Sequence, residues 1–164
     1  MKKFINTPAK YVFALALAYI SVFSSVTAQT AKNKSTQYNI SDQHLAIEGY
    51  DPVAYFVDNT AKEGKKDLAY IYDGVIYRFS SAQHLQSFKS DPEKFKPQYG
   101  GWCAYAMGAT GEKVDVDPET FKVLNGKLYL FYNRFFNNTK KSWDKDEANL
   151  KQKADNNWQK FSHE

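Results

Sequence analysis

Cysteine is almost absent from this chain, because Cys103 is the one thiol among 164 residues. One cysteine cannot form an internal disulfide, so the sequence excludes a small scaffold held together by disulfides. Two interpretations of Cys103 stay open at this point. It is either an inert, buried, small hydrophobic side chain or a reactive thiol or metal ligand.

The sequence patterns of several common enzyme classes are also missing. The chain has no glycine-rich phosphate-binding loop, no CxxC motif, no His-Glu-x-x-His motif and no serine nucleophile elbow. No nucleophile is accompanied by an evident base and orienting group. The sequence therefore does not support an enzymatic activity.

The chain has no long run of apolar residues except near its start. Residues 11–23 are apolar, follow a basic segment, and are followed by small residues at Val26 and Ala28. This run is shorter than the roughly 20 residues that a membrane span requires. We therefore predict a signal peptide over residues 1–28, cleavage near Ala28, a periplasmic or secreted location, and no stable membrane insertion after cleavage. An uncleaved anchor is the alternative.

The excess of positive charge belongs mostly to that first segment. The whole chain has 22 Lys and Arg against 18 Asp and Glu, and Lys2, Lys3 and Lys10 lie within residues 1–28. Removing these three lysines leaves 19 basic residues against 18 acidic residues. Because no basic field remains, the composition gives no reason to expect a nucleic-acid partner.

The remaining residues are enough for one domain. Residues 29–39 are polar and predict a flexible leader, and residues 40–161 form the predicted domain. Asp-Gly and Asn-Gly dipeptides favour type I′ turns and predict two hairpins. Apolar runs predict the strands, at residues 53–57, 68–72, 75–79, 121–124 and 127–132.

Capping residues and apolar spacing predict the helices. They lie over residues 82–89, from residue 92 to about residue 97, after the glycine pair that precedes Cys103, and within 137–161. We expect an α+β fold, in which a small antiparallel sheet built from hairpins packs with several short helices.

Four motifs, in order along the chain, resemble the YHS-domain family, in particular its exported single-domain members. They are residues 49–56 (GYDPVAYF), 77–82 (YRFSSA), 88–95 with its Asp-Pro-Glu-Lys-Phe end, and 98–105 (QYGGWCAY). The similarity extends over about residues 40–158.

The resemblance implies a metal site, but this chain lacks the cysteine ligands of its metal-binding relatives. Metal-binding relatives carry cysteines at positions that match Ala54, Ser80 and His84, so this chain lacks all three thiols. Exported relatives instead have a cysteine after the Gly-Gly-aromatic run, and some carry selenocysteine there. If that feature transfers to Cys103, the position calls for a strong nucleophile or a soft ligand.

Three residues are candidate metal ligands: Cys103, His84 and Met107. Thiolate and thioether are soft ligands suited to Cu(I), and imidazole binds several transition metals. Each has a structural alternative, since Met107 also fits a core and His84 also fits a hydrogen-bonded helix surface. A pocket near the thiol is expected to involve Asp51, Tyr55, Tyr99 and Tyr105, although a turn role for Asp51 and a core role for the tyrosines are the alternatives.

Three functions follow from these candidates. The first is an exported module that binds a soft or transition metal, copper foremost, through Cys103 in metal handling, with a homodimer as one way to complete the site. The second is a single-cysteine thiol redox protein that works with an external thiol. The third is a non-catalytic interaction domain. The expected partners are a metal ion or a periplasmic thiol or metal-handling protein.

Overall fold

A computed structural model describes residues 37–162 of this protein. The predicted signal peptide and residues 29–36 of the predicted leader lie outside the described residues. The last part of that leader is tied to the domain. The N–H of Asn39 donates to the carbonyl of Gly100 at 2.8 Å, and the indole N–H of Trp102 donates to the carbonyl of Gln37 at 2.8 Å. The folded part of the chain therefore begins before residue 40.

Two hairpins form where the turn dipeptides predict them. Strands β1 (Lys65–Tyr72) and β2 (Val75–Phe79) are antiparallel, and so are β3 (Asp117–Leu124) and β4 (Lys127–Phe131). Both residues of each turn have positive φ, 52° and 78° at Asp73 and Gly74 and 51° and 71° at Asn125 and Gly126. This is the backbone of a type I′ turn, which joins twisted strands closely. The two hairpin predictions are confirmed.

A third, much shorter hairpin was not predicted. Strands β5 (Asn133–Arg134) and β6 (Asn137–Asn138) pair across a turn made by Phe135 and Phe136. The three hairpins form three separate two-stranded sheets, so the single small sheet that we expected is divided.

The apolar run at residues 53–57 is a helix, and its prediction as a strand was wrong. Helix α1 spans Ala54–Val57. The Oδ1 atom of Asp51 accepts hydrogen bonds from the N–H groups of Val53 at 2.9 Å and Ala54 at 3.3 Å. This capping satisfies N–H groups of the first turn and starts a helix in a segment whose composition favours a strand.

The next helices begin at the residues that the capping signals indicate. Helix α2 spans Ala82–Ser90, and its first turn is capped by the Ser81 hydroxyl, which accepts from the N–H of His84. Helix α3 spans Pro92–Phe95, with Asp91 as its cap. A 3-10 turn at Gln98–Gly101 leads to α4 at Ala104–Ala109. A further 3-10 turn lies at Ile47–Gly49.

Two helices complete the described chain, α5 at Thr139–Trp143 and α6 at Glu147–Ser162. Trp143, Leu150 and Ala154 are buried, and Trp158 is partly buried. None of the helices between residues 37 and 162 combines the length and the apolar character that a bilayer crossing requires.

The buried side chains form two hydrophobic clusters. The first lies around the β1–β2 hairpin, α1 and α2, and includes Phe79, Phe88 and Cys103. The second lies between α4, β4, α5 and α6, and includes Met107 and Trp143. Hairpins packed with short helices in this way confirm the α+β class. Cys103 is the last residue before α4, where the two clusters adjoin.

Candidate functional site

Cys103 is the N-cap residue of α4 and is fully buried. Its own N–H donates to the carbonyl of Val114 at 2.9 Å, and its carbonyl accepts from the N–H of Met107 at 3.0 Å. These backbone bonds fix the residue between the 3-10 turn at Gln98–Gly101 and the helix. The thiol therefore has a defined position rather than a place on a mobile loop.

Two polar groups from a distant part of the chain contact the sulfur. The N–H of Tyr132 donates to Sγ of Cys103 at 3.3 Å, and Oγ1 of Thr139 lies 3.4 Å from the same sulfur. The Thr139 hydroxyl donates its proton to the carbonyl of Tyr132 at 2.9 Å. Because a hydroxyl has one proton, the remaining Thr139–Cys103 contact is a thiol S–H that donates to Oγ1. The arrangement suits a neutral thiol and also places an N–H donor on the sulfur.

A pocket of about 290 Å³ adjoins this sulfur. Its wall combines apolar groups of α4 with polar groups from the segments on either side: Cys103, Tyr105, Ala106, Ala109, Thr110, Glu112, Val114, Tyr132, Asn137 and Thr139. Cys103 belongs to this wall although its exposed fraction is zero, so the residue lies just beneath the pocket surface. A small molecule in the pocket therefore reaches the sulfur only if the wall moves.

His84 belongs to a different cluster, centred on the fully buried carboxylate of Asp51. The Nδ1 atom of His84 lies 2.7 Å from Oδ2 of Asp51, and Oδ2 also accepts from the Ser80 N–H at 2.8 Å and the Ser80 hydroxyl at 2.6 Å. With the two bonds to Oδ1 described above, Asp51 accepts five hydrogen bonds. A carboxylate with so many donors acts as the acceptor toward His84, so Nδ1 carries a proton. The Nε2 atom then faces Asp58, whose Oδ2 is 3.8 Å away.

The Asp51 cluster brings together the three positions at which the resemblance places cysteines in metal-binding relatives. Ala54 donates its N–H to Asp51, Ser80 donates both its N–H and its hydroxyl, and His84 donates Nδ1–H. In this chain, these three positions belong to one hydrogen-bonded network around the Asp51 carboxylate. Asp51 therefore does more than stabilise its own turn: its hydrogen bonds connect α1, the end of β2 and α2. The resemblance marks the position of Ser80, but the sequence does not reveal its bonds to Asp51, because the two residues are 29 positions apart.

The other candidate residues do not meet at the thiol, with one exception. Met107 is buried in the second cluster. The Tyr55 hydroxyl donates to the carbonyl of Pro118 at 2.9 Å in the first cluster. The Tyr99 hydroxyl donates to Oδ1 of Asp155 at 2.9 Å. Tyr105 alone among the four expected pocket residues lines the Cys103 pocket, whereas Asp51 lies with His84.

Burial dominates the ionisation of several tyrosines. It raises the pKa of Tyr55 and of Tyr77 far above the ordinary value of 10.0. The pKa of Tyr99 is raised mainly by burial and further by its hydrogen bond to the Asp155 carboxylate. These phenols are neutral core groups in the folded protein and are not positioned as bases.

His84 lies on the Asp51 carboxylate and Met107 in the second hydrophobic cluster, so the described contacts of the Cys103 sulfur include neither of them. Between residues 37 and 162, no three His, Cys, Asp or Glu side chains are grouped so that they could hold a metal ion. His84 does not line the thiol pocket, and the polar groups that do are mainly oxygen donors. Oxygen donors suit hard cations better than Cu(I).

Comparison of the chain with protein-family models, curated proteins and solved structures gives no match. The site therefore has to be interpreted from its own residues and from the motifs quoted above.

Proposed function

We propose that this chain is an exported YHS-like domain whose functional group is the Cys103 thiol, and that this thiol exchanges with small external disulfides. The observation that carries the proposal is the position of Sγ directly beneath a pocket, in contact with the N–H of Tyr132 and the hydroxyl of Thr139. An inert core cysteine needs neither a pocket nor polar partners. The periplasmic or secreted location is part of the proposal and rests on the predicted signal peptide.

The reaction is a thiol–disulfide exchange. When the pocket wall opens, Cys103 loses its proton to water in the pocket, and the resulting thiolate attacks one sulfur of the external disulfide. A new S–S bond forms to Cys103, the original S–S bond breaks, and the other half of the disulfide leaves as a thiolate. The chain has one cysteine, so a second external thiol must attack the mixed disulfide to regenerate Cys103.

The neighbouring groups supply what the thiolate needs. The Tyr132 N–H already donates to the sulfur, and hydrogen bonds to a charged group are stronger than those to a neutral group. The Thr139 hydroxyl can rotate from the Tyr132 carbonyl toward the sulfur once the thiol proton is lost. The pocket wall provides room for the substituent of a small disulfide.

Copper binding through Cys103 stays a prediction of the sequence. It ranks second because neither the His84 imidazole nor the Met107 side chain lies in the thiol pocket. Cu(I) held by Cys103 would need its second soft ligand from another molecule. A metal-handling partner with its own thiol would satisfy that requirement.

The test measures adducts of the folded protein. Purified protein is incubated with oxidised glutathione and analysed by intact mass spectrometry, with Cys103→Ser as the control. We expect one glutathionyl group on the wild type and none on the variant. If the folded protein stays unmodified while urea-unfolded protein reacts, Cys103 is an inert core residue and the proposal is wrong.

A second arm separates copper from disulfide exchange. Reduced protein competes anaerobically for Cu(I) against a coloured chelator. Uptake of one Cu(I) by the wild type, its loss in Cys103→Ser, and no glutathionylation would replace the redox proposal with the metal one. Glutathionylation without Cu(I) uptake supports the exchange reaction.

A further inference from the structure

The tip of the β5–β6 hairpin exposes two adjacent aromatic side chains. Phe135 is 88% exposed and Phe136 is fully exposed. Their φ angles are 53° and 65°, in the left-handed region that bulky residues rarely adopt. A two-residue turn of this type favours asparagine and glycine. Two phenylalanines at this tip therefore oppose both the turn's preference and the tendency of apolar groups to be buried.

The base of this hairpin adjoins a larger pocket of about 560 Å³. The amide of Asn133 donates to Oδ2 of Asp117 at 3.2 Å, which fixes the hairpin beside the segment that leads into β3. Val116 of that segment lines the large pocket together with Leu45 and Ile47, and all three are buried. The pocket therefore has apolar groups in its floor, although much of its wall is polar.

The rest of the pocket wall includes acidic groups. Asp42, Glu48 and Asp115 line it. Arg134, next to the exposed phenylalanines, lies 3.5 Å from Glu48 of the same molecule, measured from Nη2 to Oε1. A ligand for this pocket should therefore combine apolar rings with a positive charge. The segment Arg134-Phe135-Phe136 has that composition.

We propose that the hairpin tip of one copy of this chain docks into the large pocket of a second copy, and that the second copy returns the same contact, giving a two-fold dimer. The hairpin and the pocket are neighbours on one surface, so a two-fold axis near Arg134 and Glu48 can satisfy both at once. An anionic lipid surface is the less suitable occupant, because the three carboxylates would repel it. A second copy instead brings the positive charge of its Arg134 to the same carboxylates.

The area available to such a contact suits a reversible dimer. If fully covered, four phenylalanine side chains and the walls they meet would bury about 1,200 Å² in total, at the lower limit of specific protein interfaces. The dimer should therefore form in a concentration-dependent way. It would also place the second copy close to the thiol pocket, because Asn137 of the same hairpin lines that pocket.

The first experiment is sedimentation velocity of the purified protein over a concentration series. We expect a monomer–dimer equilibrium that F135N/F136G weakens at least about 100-fold, since buried aromatic side chains dominate interface energies. The variant turn is Asn-Gly, which suits the left-handed backbone, so the monomer should remain folded and become more stable. The control V57T/I71T removes two other exposed apolar side chains and should leave the equilibrium unchanged.

A second experiment tests which surfaces meet. R134E alone and E48K/D115K alone should each associate poorly, whereas an equimolar mixture should form a heterodimer. An ion pair within one molecule cannot produce that recovery.

Three results would each overturn the proposal: a wild type that is monomeric at every concentration, a double phenylalanine variant that associates normally, or a mixture that fails to associate. Monomeric wild type that floats with phosphatidylglycerol vesicles through Phe135 and Phe136 would assign the tip to membranes instead. None of these measurements involves Cys103, so the dimer and the exchange reaction can fail independently.

Discussion

Oγ1 of Thr139 lies 3.4 Å from Sγ of Cys103 while its proton is directed to the Tyr132 carbonyl, so the hydroxyl accepts from the thiol. The same side chain can donate to the sulfur after deprotonation, at the cost of its bond to the carbonyl. Thr139 thus links the protonation of Cys103 to the segment between β4 and α5. Tyr132, which donates its N–H to the sulfur, belongs to that segment.

The first prediction concerns this link. Thr139→Val keeps the shape of the side chain and removes its hydroxyl, so the neutral thiol loses a weak acceptor and the thiolate loses a stronger, charge-assisted donor. We expect the alkylation rate of Cys103 at neutral pH to fall by up to about tenfold, which corresponds to a net difference of ~1.4 kcal/mol between the two hydrogen bonds. Thr139→Ser is the matched control and should react at nearly the wild-type rate. Equal rates for Val and Ser would show that the hydroxyl does not act on the sulfur.

The second prediction concerns the Asp51 network. Asp51→Asn replaces one acceptor oxygen by an NH₂ group that faces donors in a fully buried site. We expect a loss of about 3 kcal/mol in the free energy of unfolding, measured by urea denaturation. Asp144→Asn is the control, because Asp144 is exposed and pairs with Lys140 at 2.7 Å. That substitution should cost much less than Asp51→Asn. Similar losses for the two variants would contradict the central role of Asp51.

The third prediction concerns the contact between α4 and α6. Gly108 is buried, and a Cβ atom there would lie 2.4 Å from the carbonyl oxygen of Leu150. Helix propensity alone predicts that Gly108→Ala stabilises the protein by about 1 kcal/mol. Because the contact is with backbone, we expect instead a loss of about 1–3 kcal/mol. Ala109→Gly, at an exposed position of the same helix, measures the propensity term separately. A stabilised Gly108→Ala variant would mean that the two helices separate without cost.

The fourth prediction concerns alkaline pH. Burial raises the pKa values of Tyr55, Tyr77 and Tyr99, so the unfolded chain releases these protons at a lower pH than the folded protein. The stability that the neutral phenols contribute is complete below about pH 10 and is lost progressively as the pH rises above it. We expect their phenolate absorbance to appear only together with loss of the near-ultraviolet circular dichroism. Urea-unfolded protein should titrate all its tyrosines near pH 10. Complete ionisation with the fold intact would contradict the burial of these phenols.

Local signals were sufficient for much of the fold. Asp73-Gly74 and Asn125-Gly126 define their turns through backbone preference, and Ser81 and Asp91 start their helices by capping. Local composition gave a wrong prediction at residues 53–57, where five apolar residues favour a strand but the segment is helical. The capping bonds from Asp51 decide that segment, and they form because β2 and α2 hold the carboxylate in place.

The site depends on contacts between distant residues, which the sequence does not reveal. Cys103, His84 and Asp51 are recognisable individually as chemically capable residues. The pairing of Asp51 with His84 spans 33 residues, and the contacts of Cys103 with Tyr132 and Thr139 span 29 and 36 residues. The third hairpin was missed for a related reason, because Phe135 and Phe136 are unusual turn residues.

The bond between Trp102 and Gln37 has a counterpart at the other end of the domain, since the Gln37 side chain donates to the carbonyl of Phe161 at 2.9 Å. The chain thus enters and leaves the described domain side by side. Fluorescent labels joined just outside these two points would report from one common patch, and a short peptide linking them could close the polypeptide into a ring without disturbing the thiol pocket.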